Sequence, residues 1–142
     1  MIIDIRQLDK NDIKTVRYES DQEGFQHINK LLADFHSGKT LFDQPGEQLI
    51  GFLMDNKIVG VCGLNLEPSN PDLGRLRRLY VLRRYRNRGI GSKLVSYLVK
   101  HAKESFTGVV VNVGELDVGP FYEARGFKKM QNNESYTHIH LF

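Results

Sequence analysis

Residues 75–91 read RLRRLYVLRRYRNRGIG, and this stretch decides the fold. Leucine, tyrosine and valine interleave with arginine over 75–82, which predicts a β-strand. Apolar residues recur at helical spacing over 91–104, which predicts an amphipathic helix. The segment 86–91 between them is therefore a strand-to-helix turn. Because the first turn of a helix leaves backbone N–H groups unpaired and carries partial positive charge, such a turn binds phosphate readily.

The residue types of this turn suit a phosphate ligand. Gly89 and Gly91 carry no Cβ, so their backbone can adopt positive φ and approach a ligand closely. Arg86 and Arg88 can donate charge-assisted hydrogen bonds to phosphate oxygens, and Ser92 adds a hydroxyl. The pattern predicts a pyrophosphate site at the N-terminus of the helix.

The positive charge of the chain is concentrated in the same region. Residues 75–88 hold seven arginines and no acidic residue. The whole chain has a formal charge of +3, so the residues outside this segment together carry −4. A basic segment on a mildly acidic body indicates a polyanionic partner, which is a phosphorylated cofactor, a nucleic acid, or acidic groups elsewhere in the fold.

Length and composition are those of a globular protein. The 142 residues, 40% hydrophobic and 26% charged, are expected to form one domain covering 1–142. No run of about 18 apolar residues occurs, so no membrane partner is expected. The segment Met1–Arg6 lacks the basic and apolar regions of a signal peptide, and the single cysteine, Cys62, fits a reducing compartment. We therefore expect a cytoplasmic protein.

Periodicity and turn residues predict the order of elements. Strands are predicted over 2–7, 49–54, 58–64, 75–82, 108–113 and 136–142, and helices around 13–16, 25–35, 91–104 and 120–125. Asn11 is the predicted N-cap of the first helix. The order β-α-α-β-β-β-α-β-α-β contains consecutive strands, which pair antiparallel, and one β-α-β unit at 75–113, which gives one parallel pair. The expected fold class is mixed α/β (α+β), a mostly antiparallel central sheet flanked by helices.

Two short motifs carry a family resemblance. Residues 86–91, RNRGIG, fit the pattern Q/R-x-x-G-x-G/A after a strand and at the opening of a helix. Residues 120–127, PFYEARGF, are similar to the pattern F-Y-x-x-x-G-F. The chain therefore resembles the GNAT superfamily of N-acetyltransferases, and the order of elements from residue 2 to the end agrees with that resemblance.

The resemblance implies a slot for acetyl-CoA, used as a co-substrate, and no metal. Strands four and five would splay to admit the pantetheine arm, which would pair with the backbone of Leu79, Tyr80 and Val81. The Val81 N–H would polarise the thioester carbonyl. Tyr122 would lie near the sulfur, and its phenol, protonated at neutral pH, would act as the general acid. The pyrophosphate would be held by Arg86, Asn87, Arg88, Gly89, Ile90, Gly91 and Ser92.

The general base and one cofactor contact depart from the family pattern. Many family members carry glutamate early in the fourth strand, where this chain has Arg75. We assign the base to Glu67, at the end of the preceding strand, acting through a water. The alternatives are proton loss to solvent and the acids near the acceptor pocket, Glu19, Asp21 and Glu23. The asparagine that often precedes the second motif is Glu115 here, so Asn112 is assigned as that cofactor contact.

Two functions stay open on the sequence alone. The first is an N-acetyltransferase that moves an acetyl group from acetyl-CoA to a primary amine of a small molecule or a protein by direct attack. The second is a non-catalytic module that binds acyl-CoA, or an Arg-rich RNA-binding module on the same scaffold. The strand-turn-helix context favours a phosphorylated cofactor over a nucleic acid, and the resemblance is consistent with a homodimer.

Overall fold

The computed structural model describes residues 1–7, 12–114 and 118–142. Its elements are β1 (Ile2–Asp4), α1 (Lys14–Gln22), α2 (His27–Ser37), β2 (Gln48–Met54), β3 (Lys57–Leu66), β4 (Leu73–Val81), α3 (Ile90–Ala102), β5 (Gly108–Val111), α4 (Gly119–Glu123), β6 (Lys128–Lys129) and β7 (His138–Leu141). A 3-10 turn at Arg83–Tyr85 joins β4 to the segment before α3. The predicted cap Asn11 and the motif position Glu115 lie outside the described residues.

The strands form one sheet in the order β1-β2-β3-β4-β5-β7-β6. β4 and β5 pair in parallel, and every other neighbouring pair is antiparallel. The parallel pair is the predicted β-α-β unit, in which α3 makes the crossover. The expected fold class, a mostly antiparallel sheet with one parallel pair and flanking helices, is confirmed.

Turn residues place the boundaries of the elements. Asp55 and Asn56 have φ of 54° and 60°, the two positive values of a tight turn whose twist matches a β-hairpin, and they join β2 to β3. Gly38 ends α2 in the left-handed conformation at φ 78°. Pro120 occupies the first turn of α4, where its missing N–H leaves no hydrogen bond unmade.

The helices cover opposite faces of the sheet. A Cβ on Gly60 of β3 would meet Ile90 and Leu94 of α3, so this position faces α3. Its neighbours on β3 face the other way, where α1 and α2 pack. The buried stripe of α3 consists of Ile90, Leu94, Val95, Leu98 and Ala102. Each large aliphatic side chain buried there contributes roughly 1.5–3 kcal/mol before entropy costs, so the position of α3 on the sheet is firmly fixed.

Some boundaries differ from the predicted ones for local reasons. The strand predicted over 108–113 ends at Val111, because the Val113 N–H donates to Thr137 Oγ1, a side chain, at 3.0 Å rather than continuing the ladder. β6 contains only two exposed lysines and has no alternating apolar pattern, so the sequence did not predict it. The described part of the chain contains no helix with the length and apolar character that a membrane crossing requires.

Candidate active site

A cleft opens in the sheet where β4 and β5 stop pairing. The two strands stay in register from Leu73 opposite Gly108 to Leu76 opposite Val111. β4 then continues for five residues to Val81, whereas β5 ends. The resulting cleft has a volume of about 1140 Å³. It corresponds to the splay expected between strands four and five.

The N-terminus of α3 lies at this cleft. Gly89, which precedes the helix, has φ 79°, a left-handed conformation that glycine adopts without strain. Asn87 has φ 63°, which asparagine tolerates better than most residues. The Lys93 N–H donates to Gly89 O at 2.9 Å, so the N–H groups of residues 90–92 have no carbonyl to bond within the helix. No side chain caps them, and they present a positive end to an anion.

Two arginines of the turn have other partners. Arg86 Nη2 lies 2.7 Å from Glu23 Oε1, and Arg86 Nε donates to Val81 O at 2.8 Å. The Arg88 guanidinium lies 5.3 Å from the centre of the Tyr85 ring. Arg86 therefore fastens the turn to α1, and a phosphate contact from its side chain would require opening the ion pair with Glu23. The phosphate-binding groups that the turn offers are chiefly backbone N–H groups.

Arg125 is a cleft cation that the sequence reasoning missed. Its Nε donates to Ser92 Oγ at 3.1 Å, and its Nη1 donates to Phe121 O at 2.6 Å. Its guanidinium lies 3.8 Å from the centre of the Phe121 ring. Arg125 thus adds a positive charge beside the first turn of α3. It lies at a variable position of the second motif, so only the packing of α4 against α3 reveals it.

Tyr122 lies on α4 in the wall of the cleft and is 6% exposed. Its ring packs edge-on against Phe121 and Phe127, with centroids 5.0 Å and 5.6 Å away. Burial raises the pKa of its phenol above the ordinary value, so the hydroxyl stays protonated at neutral pH. The packing holds the ring in one place, and the hydroxyl is a hydrogen-bond donor in the cleft.

The open edge of β4 presents backbone groups. A β-bulge opposite residues 61–63 shifts the register with β3, and Arg78 has φ 64° there. The Leu82 N–H donates to Val59 O of β3 at 2.9 Å. Because successive N–H groups of a strand point to opposite edges, the Val81 N–H points to the edge that β5 leaves unpaired. The predicted cofactor residues that line this part of the cleft are Leu79, Tyr80, Val81 and Asn112.

His27 of α2 is a second cleft residue that no motif marks. Its ring centroid lies 5.7 Å from that of Phe25 and 5.9 Å from that of Tyr80. Its Nε2 is buried and has no hydrogen-bond partner among the described residues. Burial, and next the positive charge of Arg78, lower the pKa of the imidazole. A neutral imidazole can accept a proton, but Nε2 is enclosed here, so a bound amine reaches it only if the ring turns toward the cleft.

The sequence profile of the Acetyltransferase (GNAT) family matches residues 9–127. The chain belongs to this family. The structure agrees with this membership, since a splayed parallel strand pair lies beside a glycine-rich helix N-terminus. No functionally curated protein matches the sequence.

Solved structures share the GNAT fold of this chain. A protein from Exiguobacterium sp. 255-15, classed provisionally as an acetyltransferase, superposes with a TM-score of 0.88 at 26% identity, over 99% of this chain and 92% of that one. A GNAT-family acetyltransferase from Staphylococcus aureus Mu50 gives 0.78 at 18% identity, over 99% and 98%. The PaiA N-acetyltransferase from Thermoplasma acidophilum, solved in complex with coenzyme A, gives 0.69 at 20% identity, over 100% and 99%.

Glu67 does not line the cleft of this GNAT domain, which corrects its expected position. Its side chain is fully buried, with Oε2 3.2 Å from Arg75 Nη1. Its Oε1 accepts a hydrogen bond from Ser135 Oγ at 2.7 Å. The carboxylate therefore holds the start of β4 to the segment before β7. Its place at the end of a strand next to β4 suggested access to the acceptor, but the side chain is enclosed by these partners.

The other acids considered as bases also lie outside the cleft lining. The Tyr80 hydroxyl lies within hydrogen-bonding distance of both Glu19 and Glu23, 2.8 Å from Glu19 Oε2, and can donate its one hydrogen to either carboxylate. Hydrogen bonds from Arg86, and next from Tyr80, lower the pKa of Glu23. Asp21 accepts from side-chain amides at 3.2 Å. These carboxylates join α1 to β4, to the turn before α3 and to α2.

Cys62 and His138 have the surroundings of structural residues. Cys62 is fully buried, and burial raises the pKa of its thiol to about 12, so it is not a thiolate at neutral pH. His138 Nε2 lies 3.8 Å from Glu123 Oε2, and its Nδ1 lies 2.9 Å from Thr137 Oγ1. Over residues 1–7, 12–114 and 118–142, no group of three or more His, Cys, Asp or Glu side chains could hold a metal ion.

Proposed function

We propose that this GNAT protein is a single-domain N-acetyltransferase that moves an acetyl group from acetyl-CoA to a primary amine by direct attack. One observation carries the proposal: a single cleft joins the uncapped N-terminus of α3, the open edge of β4 and the phenol of Tyr122. The helix N-terminus suits the phosphates of the cofactor, the edge of β4 suits the pantetheine arm, and the phenol suits the thioester.

The pyrophosphate binds the backbone N–H groups at the start of α3, over residues 87–92. Arg125 and the Ser92 hydroxyl lie beside these groups and supply a positive charge and a further donor. Hydrogen bonds that involve a charged group contribute about 1.5–3 kcal/mol each, so two or three of them are enough for a strong preference for a phosphorylated ligand. The pantetheine arm lies along Leu79, Tyr80 and Val81, with Asn112 on the other wall.

The chemical step needs one proton acceptor and one proton donor. The amine nitrogen attacks the thioester carbon, so a C–N bond forms and the C–S bond breaks. The Val81 N–H donates to the carbonyl oxygen as negative charge develops there. His27 takes the proton that the amine loses, and Tyr122 gives a proton to the departing sulfur. The products are an amide and the free thiol of CoA, and exchange with solvent restores both side chains.

The assay for this function is release of CoA thiol from acetyl-CoA with a panel of primary amines. We expect amine-dependent thiol release and an acetylated amine by mass spectrometry. Tyr122→Phe is the matched control, since it removes the donor and keeps the packed ring. Binding of CoA without release for any amine would favour an acyl-CoA-binding module, and salt-dependent RNA binding without CoA affinity would favour the RNA-binding alternative.

A further inference from the structure

The end of the cleft away from α3 is basic. Arg75, Arg77 and Arg78 of β4 line it, together with Lys30 of α2 and Lys39 just after α2. Asp34 is the only acidic residue among the described residues that line the cleft. This wall therefore carries a large excess of positive charge at the place where an acceptor would enter.

The three arginines differ in their partners. Arg75 Nη1 lies 3.2 Å from Glu67 Oε2, and Arg78 Nη2 lies 3.5 Å from Asp34 Oδ2. Arg77 lies between them in the sequence, is half-buried, and makes no hydrogen bond or ion pair with the described residues. Burial, and next the charges of Arg75 and Arg78, lower its pKa, and the more distant charges of Glu67 and Asp34 offset this lowering only in part. A half-buried charge without a partner is costly, so a ligand anion would relieve it.

The phosphates of the cofactor do not account for this charge. Arg77 lies opposite Gly63 in the β3–β4 ladder, and a Cβ on Gly63 would meet Phe42, on the α1–α2 face. Val81 lies opposite Gly60, which faces α3. Arg77 and the α3 N-terminus are thus on opposite faces of the sheet. Arg77 also lies four residues, roughly 13 Å, from Val81 along β4.

We propose that the acceptor is a small primary amine that carries a carboxylate or a phosphate, and that Arg77 binds this anionic group. This inference rests on the proposed N-acetyltransferase function and names its substrate class. Lys30 and Lys39, both exposed at the mouth of the cleft, attract the acceptor from solvent. His27 lies on the same helix as Lys30, and the charge of Arg78, next to Arg77 in β4, acts on its imidazole, so an anion on Arg77 would leave the amine on the side of the cleft that holds the proposed base. Polyamines and aminoglycosides would meet like charge here.

Matched amine pairs test the proposal in the thiol-release assay. The pairs are β-alanine with β-alaninamide and O-phosphoethanolamine with ethanolamine, and spermidine is the cationic comparison. We expect the anionic member of at least one pair to have a kcat/KM about tenfold or more above its neutral partner, because its anion gains charged hydrogen bonds. Comparing the two pairs tells whether a carboxylate or a phosphate is bound.

Variants at Arg77 separate acceptor binding from cofactor binding. Arg77→Met should raise KM for the anionic amine about tenfold or more and leave the neutral amine and the CoA dissociation constant nearly unchanged. Arg77→Lys should recover part of the loss. Arg84→Met is the charge-matched control, since Arg84 is exposed and does not line the cleft. Because Arg77 has no partner, Arg77→Met should fold with an unchanged Tm.

Three results would overturn the inference. A preference for spermidine, or equal rates within both pairs, would contradict an anionic acceptor while leaving the N-acetyltransferase function intact. Weaker CoA binding by Arg77→Met would assign the charge to the cofactor. Binding of CoA without thiol release for any amine would instead remove the proposed function on which the inference rests.

Discussion

Enlarging the side chain at Gly91 tests where the pyrophosphate binds. A Cβ at this position would lie 3.6 Å from Phe121 Cζ and 3.8 Å from Val81 Cγ2, which is ordinary van der Waals contact. Gly91→Ala should therefore fold normally, and alanine also has a better helix propensity than glycine by up to about 1 kcal/mol. Gly91→Val adds two methyl groups about 1.5 Å beyond the Cβ, so they crowd Phe121 and Val81 or project over the helix N-terminus.

The expected loss follows from the hydrogen bonds that the valine would block. If two backbone N–H groups lose their phosphate oxygens, about 3–6 kcal/mol of binding free energy is lost, which is a 100-fold or larger rise in the CoA dissociation constant. Overpacking costs about 1–3 kcal/mol of stability, so the variant should still fold. Calorimetric titration with CoA and thermal unfolding measure the two effects separately.

Ser96→Val is the control for this experiment. Ser96 is exposed on the same helix and does not line the cleft, so the variant introduces the same side chain away from the proposed site. Gly91→Ala and Ser96→Val should both bind CoA like the natural protein. A folded Gly91→Val variant with the CoA affinity of Ser96→Val would refute the placement of the pyrophosphate on α3.

The remaining predictions concern single side chains. Tyr122→Phe should lower kcat about 100-fold or more without changing CoA affinity, and an unchanged kcat in steady-state assays would exclude a proton-donor role. Burial, and next the charge of Arg78, lower the pKa of His27 below that of a free imidazole, so His27 is neutral at neutral pH and kcat should fall only as the pH drops through the lowered pKa. His27→Gln should lose this acid limb, and an identical limb in the variant would exclude His27 as the base. Glu67→Gln should lower the free energy of unfolding by about 2 kcal/mol, because Arg75 loses its buried partner, and a denaturant titration measures this loss. A large loss of kcat at unchanged stability would instead give Glu67 a role in the mechanism.

The turn and the short helix that form the proposed cofactor half could be predicted because their signals are local. The turn at residues 86–91 requires glycines that can adopt positive φ and a helix that begins directly after them, and both features can be read from adjacent residues. Tyr122 belongs to a motif that also fixes its short helix. The splay of β4 and β5 came with the family resemblance and was confirmed as part of the fold.

Other parts of the candidate site depend on contacts between distant parts of the chain. Arg125 reaches Ser92 across 33 positions, and Arg86 pairs with Glu23 across 63. Neither spacing has a sequence signature, so the sequence could not show that Arg86 would form an ion pair with Glu23 or that Arg125 would lie at the cleft. Glu67 was misplaced for a similar reason, because its enclosure by Arg75 and Ser135 is set by the segment before β7.

We propose that one cleft holds acetyl-CoA with its phosphates on α3 and its thioester at Tyr122. The most direct measurement is a crystal structure of the protein with bound CoA. We expect pyrophosphate oxygens on the backbone N–H groups of residues 87–92 and the sulfur within hydrogen-bonding distance of Tyr122 Oη. A CoA molecule bound with its phosphates on Arg77, or with its sulfur away from Tyr122, would contradict it.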